Sequence, residues 1–554
     1  MATPEWIERV RALTRELVGI PSVNGTPEEA RFPDRLRELL LRSPSFRDHP
    51  GRIRVLPIPG DPNRRRNLVA WVPGGPRTVL LTGHFDVVTT ANLGALERLA
   101  FDPERLLDAA TDLLRREAQS GQPDPLAERD LASGDWMLGR GALDMKSGLA
   151  CGIAVLERAA VESIGGSLLL VATPDEEATS AGMRSAVPQV VALAREWALE
   201  PVAALNLDIT EDGGDGAAGR AVFLGSVGKL LPFVHLVGRE VHAGMPPIGL
   251  NAALLAAEVT RGVELNPALV DASGGEVAPA PVTLHQTDGR RGYDVTTPRT
   301  AWCYYNLLRH TGTAGEAFDA FCQVVREGVA EAARLTHERA LEQARRSGDR
   351  EPPRWEPLVL TYAELRERAG DAATGCDAAG EGAADLPERA RRVTEALWEA
   401  SGLRGPAAVV GCAGVPYAPV QLGAATERER RLRGALDRQT AAVGAELGAP
   451  IQLRGYFPGI SDMSFFAGDQ PQGDLDLLRR NTPGWGSAIR IDDGAARELA
   501  VPVVNVGPWG RDAHGRLERV FAPYAFGVVP ELVWRIAGDL LGPSVRNATS
   551  NRAL

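Results

Sequence analysis

Residues 78–86 read Thr78-Val79-Leu80-Leu81-Thr82-Gly83-His84-Phe85-Asp86, an apolar run that ends on an imidazole and a carboxylate. A near-continuous run of this length, without strict alternation, is the signature of a strand covered on both faces. Residues 67–72, 167–173, 202–209 and 501–506 have the same texture. Helical stretches over 146–161 and 183–199 lie between several of these runs. The pattern predicts an α/β fold, a mixed, mostly parallel sheet flanked by helices. Polar residues with chemical potential follow the runs, where open α/β sheets place their sites.

Either side of this core the chain changes character. The first 45 residues are helical in spacing, broken at 20–25. From about residue 224 strand candidates (230–238, 281–286, 295–308) alternate with helices over 251–265 and 314–346. Residues 366–386, rich in Ala, Gly, Asp and Glu without periodicity, read as an exposed loop. A helix after Glu427 leads back to a strand over 452–457, where the sheet pattern resumes. The expected organisation is therefore 1–223 and 439–554 as two parts of one domain, with 224–438 inserted between them.

At 554 residues the chain exceeds one ordinary core. Its net charge of −11 argues against nucleic acid or an acidic membrane surface as partner. The longest apolar runs are too short for a membrane span, and the first ten residues begin an amphipathic helix rather than a secretory signal. Five cysteines without a CxxC pair indicate neither a disulfide framework nor a cysteine metal site. The expected setting is cytoplasmic. Lysine is nearly absent; the two present, Lys146 and Lys229, fall in or beside the segments that carry chemistry.

Those segments are five. His84 and Asp86, two apart on a strand, face the same side, so Asp86 can orient the imidazole. Asp144 follows the turn Gly139-Arg140-Gly141 and precedes a helix, where it could also be an N-cap. Glu176 and Glu177 follow Pro174; adjacent carboxylates suit a division of labour between cation ligand and general base. Asp208 closes another apolar run, and His514 follows the rigid Gly507-Pro508-Trp509-Gly510. Each has a bland reading alone, as a satisfied strand-end pair, a turn or a loop side chain. All five bland readings would have to hold together, each at the end of a sheet-like run.

In order, Gly83 to Asp86, Gly139 to Gly148, Asp175 to Met183, Asp208, Val241 to Ala252 and Gly507 to His514 resemble the motifs of the M20 zinc metallopeptidases and amidohydrolases. The likeness spans nearly the whole chain. Its length and the run 456–465 are most similar to the arginine-utilisation (RocB-type) branch. The resemblance implies a zinc-peptidase-like catalytic domain with an enlarged lid and dimerisation domain of α+β type. It implies two zinc ions, with cobalt or manganese suited to the same ligands. Asp144 would bridge them, His84 and Asp208 completing one site, Glu177 and His514 the other. Glu176 would activate the bridging water, Asp86 would support His84, and His242 from the lid would stabilise the oxyanion. A cis peptide at Asp144-Met145 is a further expectation.

The implied reaction is hydrolysis of an amide bond in a small N-substituted amino acid or dipeptide, within arginine or ornithine catabolism, by a homodimer joined through the lid. The other class of reading is a non-catalytic or regulatory relative on the same scaffold, and such proteins usually lack a ligand or the base. Two departures stand out. The stretch between His84 and Asp144 is long, with a helix over 103–119. The segment Asp294 to Arg299 does not match the family's substrate-holding one, leaving Arg299 and Arg309 as candidates by charge alone. Ser461-Asp462 is expected beside the site as support.

Overall fold

The computed structural model describes residues 3–211, 220–273, 275–290, 292–466 and 471–542. The chain divides into two compact units, one of residues 1–226, 420–468 and 491–554, the other of 227–419 and 469–490.

The first unit is built on an eight-stranded sheet. Its centre is four adjacent parallel strands, Ser167–Thr173, Arg77–His84, Glu200–Asn206 and Val503–Asn505. Antiparallel neighbours, Arg66–Val72 on one side and Ala221–Phe223 on the other, extend it. Every residue of Ser167–Thr173 is buried, as a run without alternation requires. Helices Pro4–Val18, Ser147–Val161 and Val529–Leu541 contribute to the same core as Val79, Leu81, Leu168 and Leu170. A second, four-stranded sheet carries the hairpin Trp509–Arg511 and Arg519–Phe521.

Helix starts are written locally. Thr3, Thr26, Asp102 and Asp124 each cap a helix whose first residue is proline, the side chain accepting a backbone N–H one turn in. The expected helix over 103–119 is Pro103–Gln119.

The second unit centres on a sheet in which Thr300–Arg309, Pro232–Val237, Ala407–Cys412 and Leu358–Thr361 are successive neighbours, with Val282–Asp288 on the outer edge of Thr300–Arg309. Alternate residues feed two cores. Val234, Leu236, Cys303 and Val410 pack with helices Ala252–Val263 and Ala314–Ser347. Phe233, Val237, Trp302 and Val409 pack with Tyr362–Ala369 and Leu386–Ser401.

Two expectations change. Residues 366–386 are not an open loop: they finish one helix, form 3-10 turns at Gly370–Ala373 and Cys376–Gly380, and bury Ala369 and Ala373 against Leu386–Ser401. Small alanines pack closely there without the large apolar residues that make periodicity visible. The inserted region also ends earlier than 438. Helix Glu427–Leu447 sends Leu432, Leu436 and Val443 into the core of the first unit, while 469–490 returns to the second. No helix among the described residues is long and apolar enough to cross a membrane.

Candidate metal centre

The four parallel strands end at the same edge of the sheet, and each hands on to a chemical residue. Arg77–His84 ends on His84 itself, with Asp86 two residues on. Ser167–Thr173 leads to Glu176 and Glu177, Glu200–Asn206 to Asp208, and Val503–Asn505 to the turn bearing His514. Asp144 arrives between strand Trp136–Leu138 and helix Ser147–Val161, and its peptide bond to Met145 is cis. Two glycines permit the crowding. A Cβ on Gly507 would lie 1.6 Å from the carbonyl oxygen of Asp208, and one on Gly148 would lie 1.9 Å from that of Leu207.

The ligand-type atoms converge in two groups that share Asp144: His84, Asp144 and Asp208, and Asp144, Glu177 and His514, each with its atoms within 4.8 Å of one another. His84 Nε2 is 3.0 Å from Asp144 Oδ1 and 3.7 Å from Asp208 Oδ1. His514 Nε2 is 3.0 Å from Asp144 Oδ2 and 3.1 Å from Glu177 Oε1. Glu176 belongs to neither group; its Oε2 lies 4.0 Å from His84 Nε2.

Asp86 meets the His84 ring through its carbonyl as well as its carboxylate. His84 Nδ1 donates to the backbone carbonyl of Asp86 at 3.0 Å, which leaves Nε2 facing the cluster. The Asp86 carboxylate is farther from the ring, 3.6 Å from Nδ1. Its shorter bonds are from the amides of Glu176 (3.1 Å) and Glu177 (3.2 Å) and from Asn24 (2.9 Å). It holds the turn that presents both glutamates. Asp175 opens that turn in the left-handed region at φ 69°, and its carboxylate accepts from Arg65, Thr179 and the amide of Ala181. Asn505 does the same for Asp208, accepting from its amide and donating to the carbonyls of Asp208 and Ile209. Asp462 is buried and accepts from Thr173 Oγ1 at 3.2 Å, while Ser461 Oγ accepts from Asn206.

One residue escaped the sequence. Glu518 is 3% exposed, pairs with Arg140 Nη1 at 2.5 Å, and accepts from the amides of Gly141 (2.8 Å), Leu143 (3.3 Å) and Asp144 (3.4 Å). It shapes the loop that delivers Asp144. The only signal was a carboxylate four residues beyond His514 in a chain whose Asp144 loop carries an arginine.

Electrostatically the site is a cluster of opposed demands. Burial alone would lower the His84 pKa, but bonding to Asp144, Asp208 and Asp86 overrides it and raises it well above the ordinary value. His514 is raised to about 11 by its bonds to Asp144 and Glu177. Burial raises Glu177 to about 7, with the Asp144 charge adding to it, and raises Glu176 well above its ordinary range, with Asp208, Asp462 and Glu177 contributing. Asp144 falls below the usual carboxylate range despite its burial, because both imidazoles bond it. A set of carboxylates and imidazole nitrogens, buried at His84, Asp144 and Asp208 and more open at His514, with one carboxylate common to two groups, suits a pair of divalent cations, since such ions neutralise the repulsion and displace the imidazole protons.

His242 belongs to the second unit and is exposed, its Nδ1 accepting from the amide of Gly244 at 3.0 Å. Arg299 pairs with Glu399, and Arg309 is buried on the carbonyl of Gly312, so both candidates by charge are bound within that unit. Lys146 is buried with Nζ on the carbonyl of Ile20 at 2.6 Å and the rings of Phe32 and Phe101 about it. Burial pushes its pKa down to about 7. Its ammonium fastens the N-terminal helices.

Comparison with known proteins gives the same picture from outside. The model of peptidase family M20/M25/M40 matches residues 106–484. Protein RocB of Bacillus subtilis is 31% identical over 547 residues, covering 96% of this chain and 95% of RocB. A succinyl-diaminopimelate desuccinylase of Sulfurimonas denitrificans is 28% identical over 203 residues, 36% of this chain and 52% of that protein. Among solved structures, an M20 family metallo-carboxypeptidase from Sulfolobus solfataricus superimposes with a TM-score of 0.55 at 11% identity, covering 96% of this chain and 99% of that one. At that identity the likeness speaks for the fold.

Proposed function

The chain belongs to peptidase family M20/M25/M40, and from that premise we propose that it hydrolyses the amide bond of a small N-substituted amino acid or dipeptide at a centre of two divalent cations. The observation that carries this reading is the pair of donor groups sharing Asp144, with Glu176 beside them and outside both. His84, Asp144 and Asp208 would hold one cation, and Asp144, Glu177 and His514 the other. Zinc is the proposed metal, and cobalt or manganese suits the same donors. When bound, the pair supplies Lewis acidity that polarises the scissile carbonyl and lowers the pKa of a water.

The remaining work falls to the chain. Glu176, raised in pKa by burial, accepts a proton from the attacking water and gives it to the departing amine. Asp86 keeps Glu176 in place through its backbone amide. His242 is assigned the oxyanion donor: with Nδ1 engaged by the amide of Gly244, the ring proton resides on Nε2, free to donate. A homodimer through the second unit fits the exposed apolar side chains of that unit, among them Met245, Ile248, Leu284, Tyr293 and Val295. A cytoplasmic setting fits five cysteines that are all free. A place in arginine or ornithine catabolism is part of the proposal on the resemblance of the motifs to the arginine-utilisation branch.

The test is a screen of N-acyl and N-carbamoyl amino acids and dipeptides with zinc-loaded enzyme, repeated with Glu176→Ala. We expect at least one substrate to turn over, and the variant to lose about 10²–10⁴-fold in kcat while keeping its zinc. Undiminished hydrolysis by the variant would remove Glu176 from its role. A freshly purified protein with less than one zinc per chain and no turnover would favour a non-catalytic relative.

A further inference from the structure

We infer that the segment 88–135, with its helices Pro103–Gln119 and Pro125–Ser133, is a brace that positions His514 and thereby sets the affinity of one of the two cation sites. The inference rests on the two-cation reading above and goes beyond it, because none of the brace residues is itself a ligand.

His514 is bonded through its ring to Asp144 and Glu177, its fellow members of the group, and the reach of the ring toward them depends on the backbone that carries it. The imidazole is 49% exposed, and the residue sits at φ 60° in a tight turn between the strands Trp509–Arg511 and Arg519–Phe521. Its place is therefore set by whatever grips the backbone of that turn. The grip comes from one segment at successive points. Asn92 Nδ2 donates to the carbonyl of His514 at 2.5 Å, and Asn92 Oδ1 accepts from Arg140 at 2.7 Å. Arg140 itself reaches the carbonyls of His514 and Gly515 at 3.3 and 3.1 Å. Asn92 thus bridges the loop that delivers Asp144 to the turn that delivers His514.

The two helices secure the turn's flanks. Glu117 takes Arg516 in a two-point pair at 2.5 and 2.8 Å. Asp130, 4% exposed, receives Arg511 at 2.7 Å and Arg519 at 2.8 and 3.0 Å, one arginine from each strand of the hairpin. Leu517 then packs with Leu93, Leu106, Leu114 and Leu131 in a small core of its own. Truncating one partner of a buried ion pair leaves the other uncompensated, so the Asp130 contacts bind the hairpin tightly to the segment. The geometry has a direction. The brace grips the His514 turn directly and meets the loop of Asp144, which both groups share, through Arg140, which Glu518 also holds; Asp208 is held by Asn505 from a sheet strand. Loss of the brace should weaken the Asp144–Glu177–His514 group and spare the other.

The experiment uses the full chain and zinc alone, titrated against a chromophoric chelator. Compared are wild type, the double variant Asn92→Ala with Arg516→Ala, the single variant Asn92→Asp, and Arg9→Ala as a control on a distant exposed pair with Glu157. Outer partners of metal ligands typically change affinity by about 10–100-fold. Expected are two zinc ions per chain in wild type and control, one of them bound about 10–100-fold more weakly in the double variant, the other unchanged, with the thermal midpoint within a few degrees. Asn92→Asp keeps the acceptor for Arg140 but loses the donor to His514, so it should show part of the same selective loss. Two zinc ions held by the double variant with wild-type affinity would overturn the brace alone, and so would equal weakening of both sites. Fewer than two zinc ions in wild type would overturn the two-cation reading and the brace with it.

Discussion

The first unit buries carboxylates against simple hydrophobic sorting; the second exposes apolar groups against it. All ten aspartates and glutamates buried among the described residues, from Glu29 to Glu531, lie in the first unit. Of the nine large hydrophobic residues left exposed among the described residues, eight, from Met245 to Leu358, lie in the second, and Val161 is the exception. Buried charge and exposed apolar surface are the two placements that cost free energy in water and so point to a use. The contrast teaches that the chain separates two kinds of placement: one unit concentrates buried carboxylates, the other carries the exposed apolar surface.

The largest test of that division concerns activity. Asp144→Asn removes the carboxylate common to both groups, so zinc content should fall below two per chain and turnover should vanish. His242→Ala should keep both zinc ions yet lose about 10²-fold in kcat, as removal of one oxyanion donor does. Equal zinc loss in both variants, measured by metal analysis, would break the division. So would full activity of His242→Ala.

A second test concerns packing beneath the site. Gly→Ala within a helix ordinarily gains about 1 kcal/mol. At Gly148 the added methyl meets the backbone oxygen of Leu207 at 1.9 Å, so Gly148→Ala should instead cost about 3 kcal/mol by urea denaturation. Gly434, which faces only the flexible end of Arg438, should show the ordinary gain.

Acid sharpens the comparison from the other unit. Burial, helped by Arg391 and Arg299, pushes His235 down to about 4 from its ordinary 6.5. Below pH 6.5 the unfolded imidazole takes a proton that the folded one refuses. The contribution is therefore whole above 6.5 and lost as pH falls toward 4, by roughly 3 kcal/mol at about 1.4 per unit. His235→Phe should remove that part of the acid sensitivity; an identical pH profile of denaturation midpoints would refute the assignment.

The smallest expected effect on folding is at the surface. Leu284→Lys and Tyr293→Ser, both at exposed positions, should leave stability within about 0.5 kcal/mol. Light scattering should nonetheless show a shift from dimer to monomer. A wild-type mass of one chain would remove the dimer.

The first unit was the more legible in sequence, for a physical reason. Its central strands are long uninterrupted apolar runs, and the ends of such runs are the positions where a polar residue costs most and so stands out. His84, Asp144, Glu177, Asp208 and His514 could be read for that reason. Glu518 could not, because its role depends on closing across more than 370 residues onto the amides of Gly141 and Asp144, and nothing local marks it. The sequence suggests the Asp86 side chain beside His84, but not that the Asp86 carbonyl is the nearer contact of the imidazole, a distinction set by the bend after the strand. In the second unit the strand Ala407–Cys412 is short and half alanine and glycine, which leaves little apolar pattern to read, whereas the helix Leu386–Ser401 does carry a stripe of Val393, Leu397 and Trp398 and was legible in principle. The expected boundary at 438 cuts the helix Glu427–Leu447 in two, because charge covers that helix except along the narrow stripe of Leu432, Leu436 and Val443.

The side-by-side arrangement of four parallel strands has a consequence for how such an enzyme changes over time. A residue at the tip of a strand hydrogen-bonded on both edges cannot be nudged without disturbing its neighbours, so the cluster is mechanically stiff and tolerates little drift. Diversification toward new substrates must then be written in the loops and in the appended unit, leaving an unchanging floor beneath walls that are free to vary.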